Sequence, residues 1–179
     1  SSSQMLDNLL NWTLVRIGAF EPEFKPINLT ECLRLSVEAY RSRAAGKEIS
    51  IELELSGPVT IRADWNMLSI VFRNLVSNAI KFSNPESRLR VRLEESAEHV
   101  TIHFTDQGIG IPPRIMKDLF DPDNRPRRPG TREEQSTGLG LLLSMDVVRL
   151  HNGTIEVESE EGHGSTFSVH LPKDPQEIS

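Results

Sequence analysis

WNMLSIVFRNLVSNAIKF, residues 65 to 82, is the stretch from which the fold can be read. Leu68, Phe72, Leu75, Ala79 and Phe82 recur at the spacing of a helix that buries one face. At about 3.6 residues per turn, Asn74, Asn78 and Lys81 form a second stripe roughly 100° round from the first. That stripe borders Met67 and Val71, so the helix aims three polar side chains into largely enclosed space. A buried amide without a partner costs roughly 1–3 kcal/mol. Two Asn and a Lys in register therefore point to something bound rather than to caps on neighbouring loops.

Towards the N-terminus, Asp64 stands where it caps this helix. Ile49 to Leu55 alternates as a half-buried strand does, and Gly57-Pro58 turns it into a second strand at Val59 to Arg62. Asn28, with Glu31 three residues on, has the capping-box arrangement and opens a helix expected from Leu29 to Ala45, stopped at Gly46. Pro22 and Pro26 mark a linker, and Met5 to Ile17 is an amphipathic helical pattern that needs a partner to cover it.

Towards the C-terminus, Asn84-Pro85 ends the central helix. Leu89 to Leu93 and Val100 to Phe104 alternate as paired strands. From Pro112 to Thr137 periodicity is lost apart from a short turn at Ile115 to Phe120, which reads as a binding loop or lid. A helix from Gly138 to Leu150 and strands at Ile155 to Ser159 and Thr166 to Leu171 complete the chain. The expected class is α+β: a two-layer sandwich with helices on one face of a mixed, mostly antiparallel sheet. The expected divisions are 1–20, 21–27, 28–173 and 174–179.

With 179 residues, 37% hydrophobic and 26% charged, the chain suits one domain with an appendage. A net charge of −6 argues against a general nucleic-acid or anionic-membrane surface. The single Cys32 excludes an intrachain disulfide and a cysteine metal cluster, so a reducing cytoplasm fits. No apolar run reaches the roughly 20 residues of a membrane span. The opening SSSQMLDN has no initiator Met, which is compatible with a piece of a longer, membrane-anchored parent.

Three motifs carry chemistry. Asp106-Gln-Gly108-Ile-Gly110 places a carboxylate at a strand end beside backbone that a flat ligand can approach closely. Ser136-Thr137-Gly138-Leu139-Gly140 leads straight into an apolar helix, whose free N–H groups and dipole suit phosphate. Its spacing matches neither the P-loop nor the dinucleotide fingerprint. Between them Arg125, Arg127, Arg128 and Arg132 offer guanidinium forks suited to phosphate oxygens.

Together these stretches resemble the ordered boxes of sensor histidine kinases, members of the GHKL superfamily with the Bergerat ATP-binding fold. Asn74 to Phe82 is similar to the N box, Asp106 to Gly110 to the first glycine box, Leu119-Phe120 to the F box and Thr137 to Gly140 to the second glycine box. The resemblance covers about Ile27 to Pro172. Leu6 to Ile17 resembles the end of a dimerisation and phosphoacceptor hairpin.

The resemblance implies a bacterial two-component phosphorelay kinase that uses ATP and Mg2+. In it Asp106 accepts from the adenine amino group, with Gly108 and Gly110 admitting the base. Asn78 gives its oxygen to Mg2+, while Asn74 and Lys81 face the phosphates as candidate catalytic groups. Phe82, Ile111, Phe120 and Leu139 line the nucleotide, and Thr137, Gly138 and Gly140 hold phosphate oxygens. The implied partners are the dimerisation helices of a homodimeric parent and a response-regulator receiver domain.

The phosphoacceptor box is missing, because none of His99, His103, His151, His163 and His170 is followed by an acidic residue on a helix. Asn74 stands where hydrolytic members of the superfamily (gyrase, heat-shock and mismatch-repair types) have a Glu, which disfavours them. A serine-directed anti-sigma kinase fits the upstream helix less well. From a different class, the remaining alternative is an interaction module that has kept only the fold.

Overall fold

The computed structural model describes residues 2–123, 130–131 and 138–176. The central helix, α4, runs Trp65–Phe82. Asp64 caps it, its side chain accepting from Met67 N at 3.0 Å. Its apolar face, including Leu68, Phe72, Val76 and Ile80, is buried on the sheet, with the Phe72 and Phe104 rings 6.2 Å apart. Deleting a side chain such as Phe72 from that layer would cost about 3–5 kcal/mol.

Among the described residues the sheet has five strands in the order β2-β4-β5-β7-β6, where β2 is Ser50–Glu54, β4 Arg88–Glu95, β5 His99–Asp106, β6 Thr154–Glu160 and β7 Gly164–Pro172. β2 pairs with β4 in parallel, and the other neighbours are antiparallel. β4 to β7 alternate because the sheet has one dry side; in β4, Leu89, Val91 and Leu93 point to the helices and Arg88, Arg90 and Arg92 to solvent. α4 and α6 (Leu139–Leu150) pack together over the dry side, and α2 (Leu29–Glu38) lies against α4.

The expected helix from Leu29 to Ala45 is two helices. α2 stops at Glu38, and α3 (Arg41–Gly46) starts after Tyr40, whose φ of −111° and ψ of 0° break the helical path. The capping box is half made: Asn28 accepts from Glu31 N at 3.1 Å, while the Glu31 carboxylate pairs with Arg34 instead. The expected hairpin across Gly57-Pro58 does not form either. β3 (Thr60–Ala63) pairs with β1 (Lys25–Asn28), a strand that begins inside the expected linker, in a separate two-stranded sheet. Pro26 is tolerated there because such a strand leaves one edge free of ladder bonds.

The upstream helix, α1 (Ser2–Arg16), lies against α6, and Trp12 and Val15 pack onto the core. Leu6, Leu10 and Ile17 stay exposed. Among the described residues no helix is long and apolar enough to cross a membrane.

Candidate nucleotide site

α4 and α6 are antiparallel, because Asn74 meets Gly140 near one end of the pair and Asp64 meets His151 at the other. Asn74 is buried and donates its amide to Gly140 O at 3.2 Å and towards Ser144 Oγ at 3.5 Å. It thus fastens α4 to the first turn of α6. Asn78, one turn on, is half-buried, and its amide meets no hydrogen-bond partner among the described residues. An oxygen donor left unspent in this way suits a hard cation that takes most of its other ligands from water and phosphate.

The last carbonyls of α4 hold the site together. Lys47, 4% exposed, donates through Nζ to Ile80 O at 2.9 Å and Lys81 O at 2.8 Å, placing a cation at the negative end of the helix. Lys81 O also accepts from Thr131 N at 3.0 Å, and Thr131 Oγ1 donates to Ser83 O at 2.6 Å. Phe82 O accepts from Ile109 N at 3.1 Å, which pins the loop after β5 to the helix end. The side chains of Lys81 and Phe82 are half-buried beside this junction.

Asp106 ends β5 and is 5% exposed. One oxygen accepts from Gly108 N at 3.0 Å. Burial pushes its carboxyl up to about 7, against the pull of backbone N–H groups from Gly108 and Ser165. A buried acid so placed gains from any ligand that donates to its ionised form.

The two glycines of this loop also have a reason internal to the protein. A Cβ on Gly108 would strike the Phe82 carbonyl, and Gly110, at a φ of 65°, would strike the Glu160 carbonyl. Ile111 is buried, and its N–H donates to Ser159 Oγ at 2.8 Å. Phe120 packs at the edge of the core.

Gly138 precedes α6 in the left-handed conformation, with a φ of 70°. Leu139 is buried behind it, and Gly140 sits beside the Asn74 side chain. Thr137 and the arginines 125, 127, 128 and 132 lie outside the described residues. Asn74, Asn78, Lys81, Phe82, Asp106 to Ile111 and Gly138 to Gly140 are linked through α4 and its contacts.

Three of the five histidines are spent structurally. His103 and His170 make cross-strand hydrogen bonds to Ser168 and Thr101. His151 is 2% exposed between Asp64 and Val147, and burial holds its ring below the usual range. Among the described residues no group of three His, Cys, Asp or Glu side chains gathers to hold a metal. Sequence reading missed Lys47, Thr131 and Ser144. Their contacts run to backbone atoms or to residues distant in the chain, and no spacing signals such contacts.

A buried acid at a strand end, an unspent amide on α4 and a glycine-led helix start are groups whose chemistry suits a nucleotide. The family model described as "Histidine kinase-, DNA gyrase B-, and HSP90-like ATPase" matches residues 63–175, and the chain belongs to this family of ATP-binding domains.

Its relatives are sensor histidine kinases. It is 30% identical over 173 residues to the circadian input-output histidine kinase CikA of Synechococcus elongatus, covering 95% of this chain and 23% of that protein. It is 34% identical to the autoinducer 2 sensor kinase/phosphatase LuxQ of Vibrio harveyi, covering 97% and 21%. The chain thus spans under a quarter of the length of these relatives.

The catalytic domain of histidine kinase ThkA superposes with a TM-score of 0.74 at 25% identity, covering 87% of this chain and 99% of that one. ThkA solved in complex with the response regulator TrrA gives 0.75 at 22% identity, covering 98% and 50%. The two-layer α+β architecture is therefore that of histidine kinase catalytic domains.

Proposed function

We propose that this chain is the catalytic segment of a two-component sensor kinase. It binds Mg-ATP between α4, the loop after β5 and the start of α6. The acceptor is a His on a dimerisation helix outside residues 1–179. The acceptor imidazole nitrogen attacks the γ-phosphorus, an N–P bond forms, the bond from that phosphorus to the bridging oxygen breaks, and ADP leaves with the electron pair. A response-regulator receiver domain then takes the phosphoryl group.

In this reading Asp106 accepts from the adenine amino group, and ionises to do so. Asn78 supplies the protein oxygen for Mg2+, which when bound neutralises charge on the phosphates. The Gly138 to Gly140 backbone and Thr137 hold phosphate oxygens at the helix start, with Lys81 nearby. Phe82, Ile111, Phe120 and Leu139 enclose the nucleoside. Asn74 acts by fixing α6 against α4. The parent is a homodimer, joined through the helix to which residues 1–20 belong, and works in a reducing cytoplasm.

The observations that support this reading are a buried Asp106 at the end of β5 and, on α4, an Asn78 amide with no hydrogen-bond partner among the described residues. Calorimetric titration with ADP and a non-hydrolysable ATP analogue, with and without Mg2+, tests it. Magnesium-dependent binding, weakened in Asn78→Ala and Asp106→Asn, is expected. The chain alone is expected to leave its own five His unlabelled. Base-stable, acid-labile phosphate on any of them, or no nucleotide binding by the folded chain, contradicts the reading.

A further inference from the structure

The end of the α4–α6 pair away from the nucleotide carries a second fastening. Both oxygens of Asp64 are in use: Oδ1 accepts from Met67 N at 3.0 Å, and Oδ2 from Glu23 N at 2.9 Å. Asp64 N donates to His151 Nε2 at 3.0 Å. With Nε2 accepting, the proton belongs on Nδ1, which lies 2.9 Å from Val147 O one turn back in α6. The Phe24 ring stands edge-on to the imidazole at 5.2 Å and 71°. Two consecutive residues of the segment after α1 therefore hold the start of α4 and the end of α6 at one point.

The other fastening, from Asn74 to Gly140, lies about 15 Å along the same helices. It is α6 that is thus pinned to α4 near both of its own ends, a connection through which a displacement of residues 21–27 can reach the Gly138 turn.

We propose that Asp64 and His151 form a positioning clamp that locks the 21–27 segment to the two helices of the nucleotide site, and so sets the presentation of bound nucleotide to the upstream phosphoacceptor helix. This rests on the kinase reading above. The chemistry accounts for both side chains: a carboxylate offers each of the two N–H donors, which come from different elements, an oxygen of its own, and only a neutral ring accepts from Asp64 while donating to Val147.

The test compares His151→Leu, His151→Gln and Asp64→Asn with the parent sequence. Three quantities are read: amide exchange at Glu23 and Asp64, ADP affinity, and transfer to a phosphoacceptor hairpin joined ahead of Ser1. His151→Leu is expected to speed Glu23 exchange on the order of tenfold, as loss of one hydrogen bond does. ADP affinity stays within about twofold, while transfer slows about tenfold. His151→Gln keeps an acceptor and restores both.

Asp64→Asn leaves one oxygen for two donors and speeds Glu23 exchange without touching the ring, so it decides the matter if His151→Leu does not fold. Unchanged Glu23 exchange in folded variants overturns the clamp, as does a loss of transfer that only follows a loss of ADP affinity. If the unmodified chain binds no ADP, the kinase reading falls, while the exchange measurement still decides the clamp.

Discussion

The solvent side of the sheet and the polar stripe of α4 use their polar side chains in opposite ways. On the sheet, Glu52, Glu54 and Glu94 pair with Arg88, Arg90 and Arg92 at 2.7–3.9 Å, and His103 closes the row on Glu94. Every one of those groups is answered by a neighbour on the same solvent-facing side. On α4, Asn74 is answered by Gly140, while Asn78 meets no protein partner among the described residues, and at the end of β5 Asp106 is held short of solvent. Polar groups that answer one another make a surface, and polar groups left unanswered are available to a ligand.

Four substitutions separate the two regions. Gly108→Ala drives a Cβ into the Phe82 carbonyl and should lower stability by about 3 kcal/mol in urea unfolding, because the obstacle is backbone and cannot turn aside. Asp106→Asn should weaken ADP binding about 100-fold by calorimetry. It should not weaken the fold, since the amide oxygen still serves Gly108 N.

The pH behaviour of Asp106 sharpens that result. Between its ordinary value of 3.8 and about 7, the folded chain holds a proton that the unfolded chain has released. The stability owed to this group is therefore complete below 3.8 and is lost as pH rises through that window. ADP affinity should move the other way, increasing up to about pH 7 as the acceptor ionises, and Asp106→Asn should flatten both profiles.

Asn78→Ala should remove about tenfold in affinity, and only when Mg2+ is present. Binding lost equally without Mg2+ would move Asn78 from the cation to the nucleotide. Arg90→Ala, on the sheet, should change the unfolding free energy by less than about 0.5 kcal/mol and leave ADP binding alone. A large effect there would erase the contrast between the two regions.

The central helix was legible to its ends because its apolar face, its Asp64 cap and its Asn84-Pro85 stop agree. The sheet layer followed from strict alternation in β4 and β5. The Tyr40 break was hidden because apolar residues continue at helical spacing on both sides of it. The strand at Lys25–Asn28 was hidden by Pro26, and the false hairpin arose because Gly57-Pro58 is a good turn whichever strands it joins. Within the site, residue types and order could be read, but partners could not. Nothing in the order of residues says that Asn74 answers Gly140, or that Lys47 crosses to the end of α4.

The parallel pairing of β2 with β4 also shapes how the chain folds. The two strands are separated in sequence by β3 and the whole of α4, so SIELE at Ser50–Glu54 has no partner until that long segment has folded back. Closing such a loop costs entropy before any ladder bond returns it, which places the step late and makes it slow. A nascent chain still short of Arg88 leaves that strand an open edge, prone to pair with a neighbouring molecule. Substitutions that delay α4 from docking should therefore lower the yield of refolding at high protein concentration, even where the finished domain is no less stable.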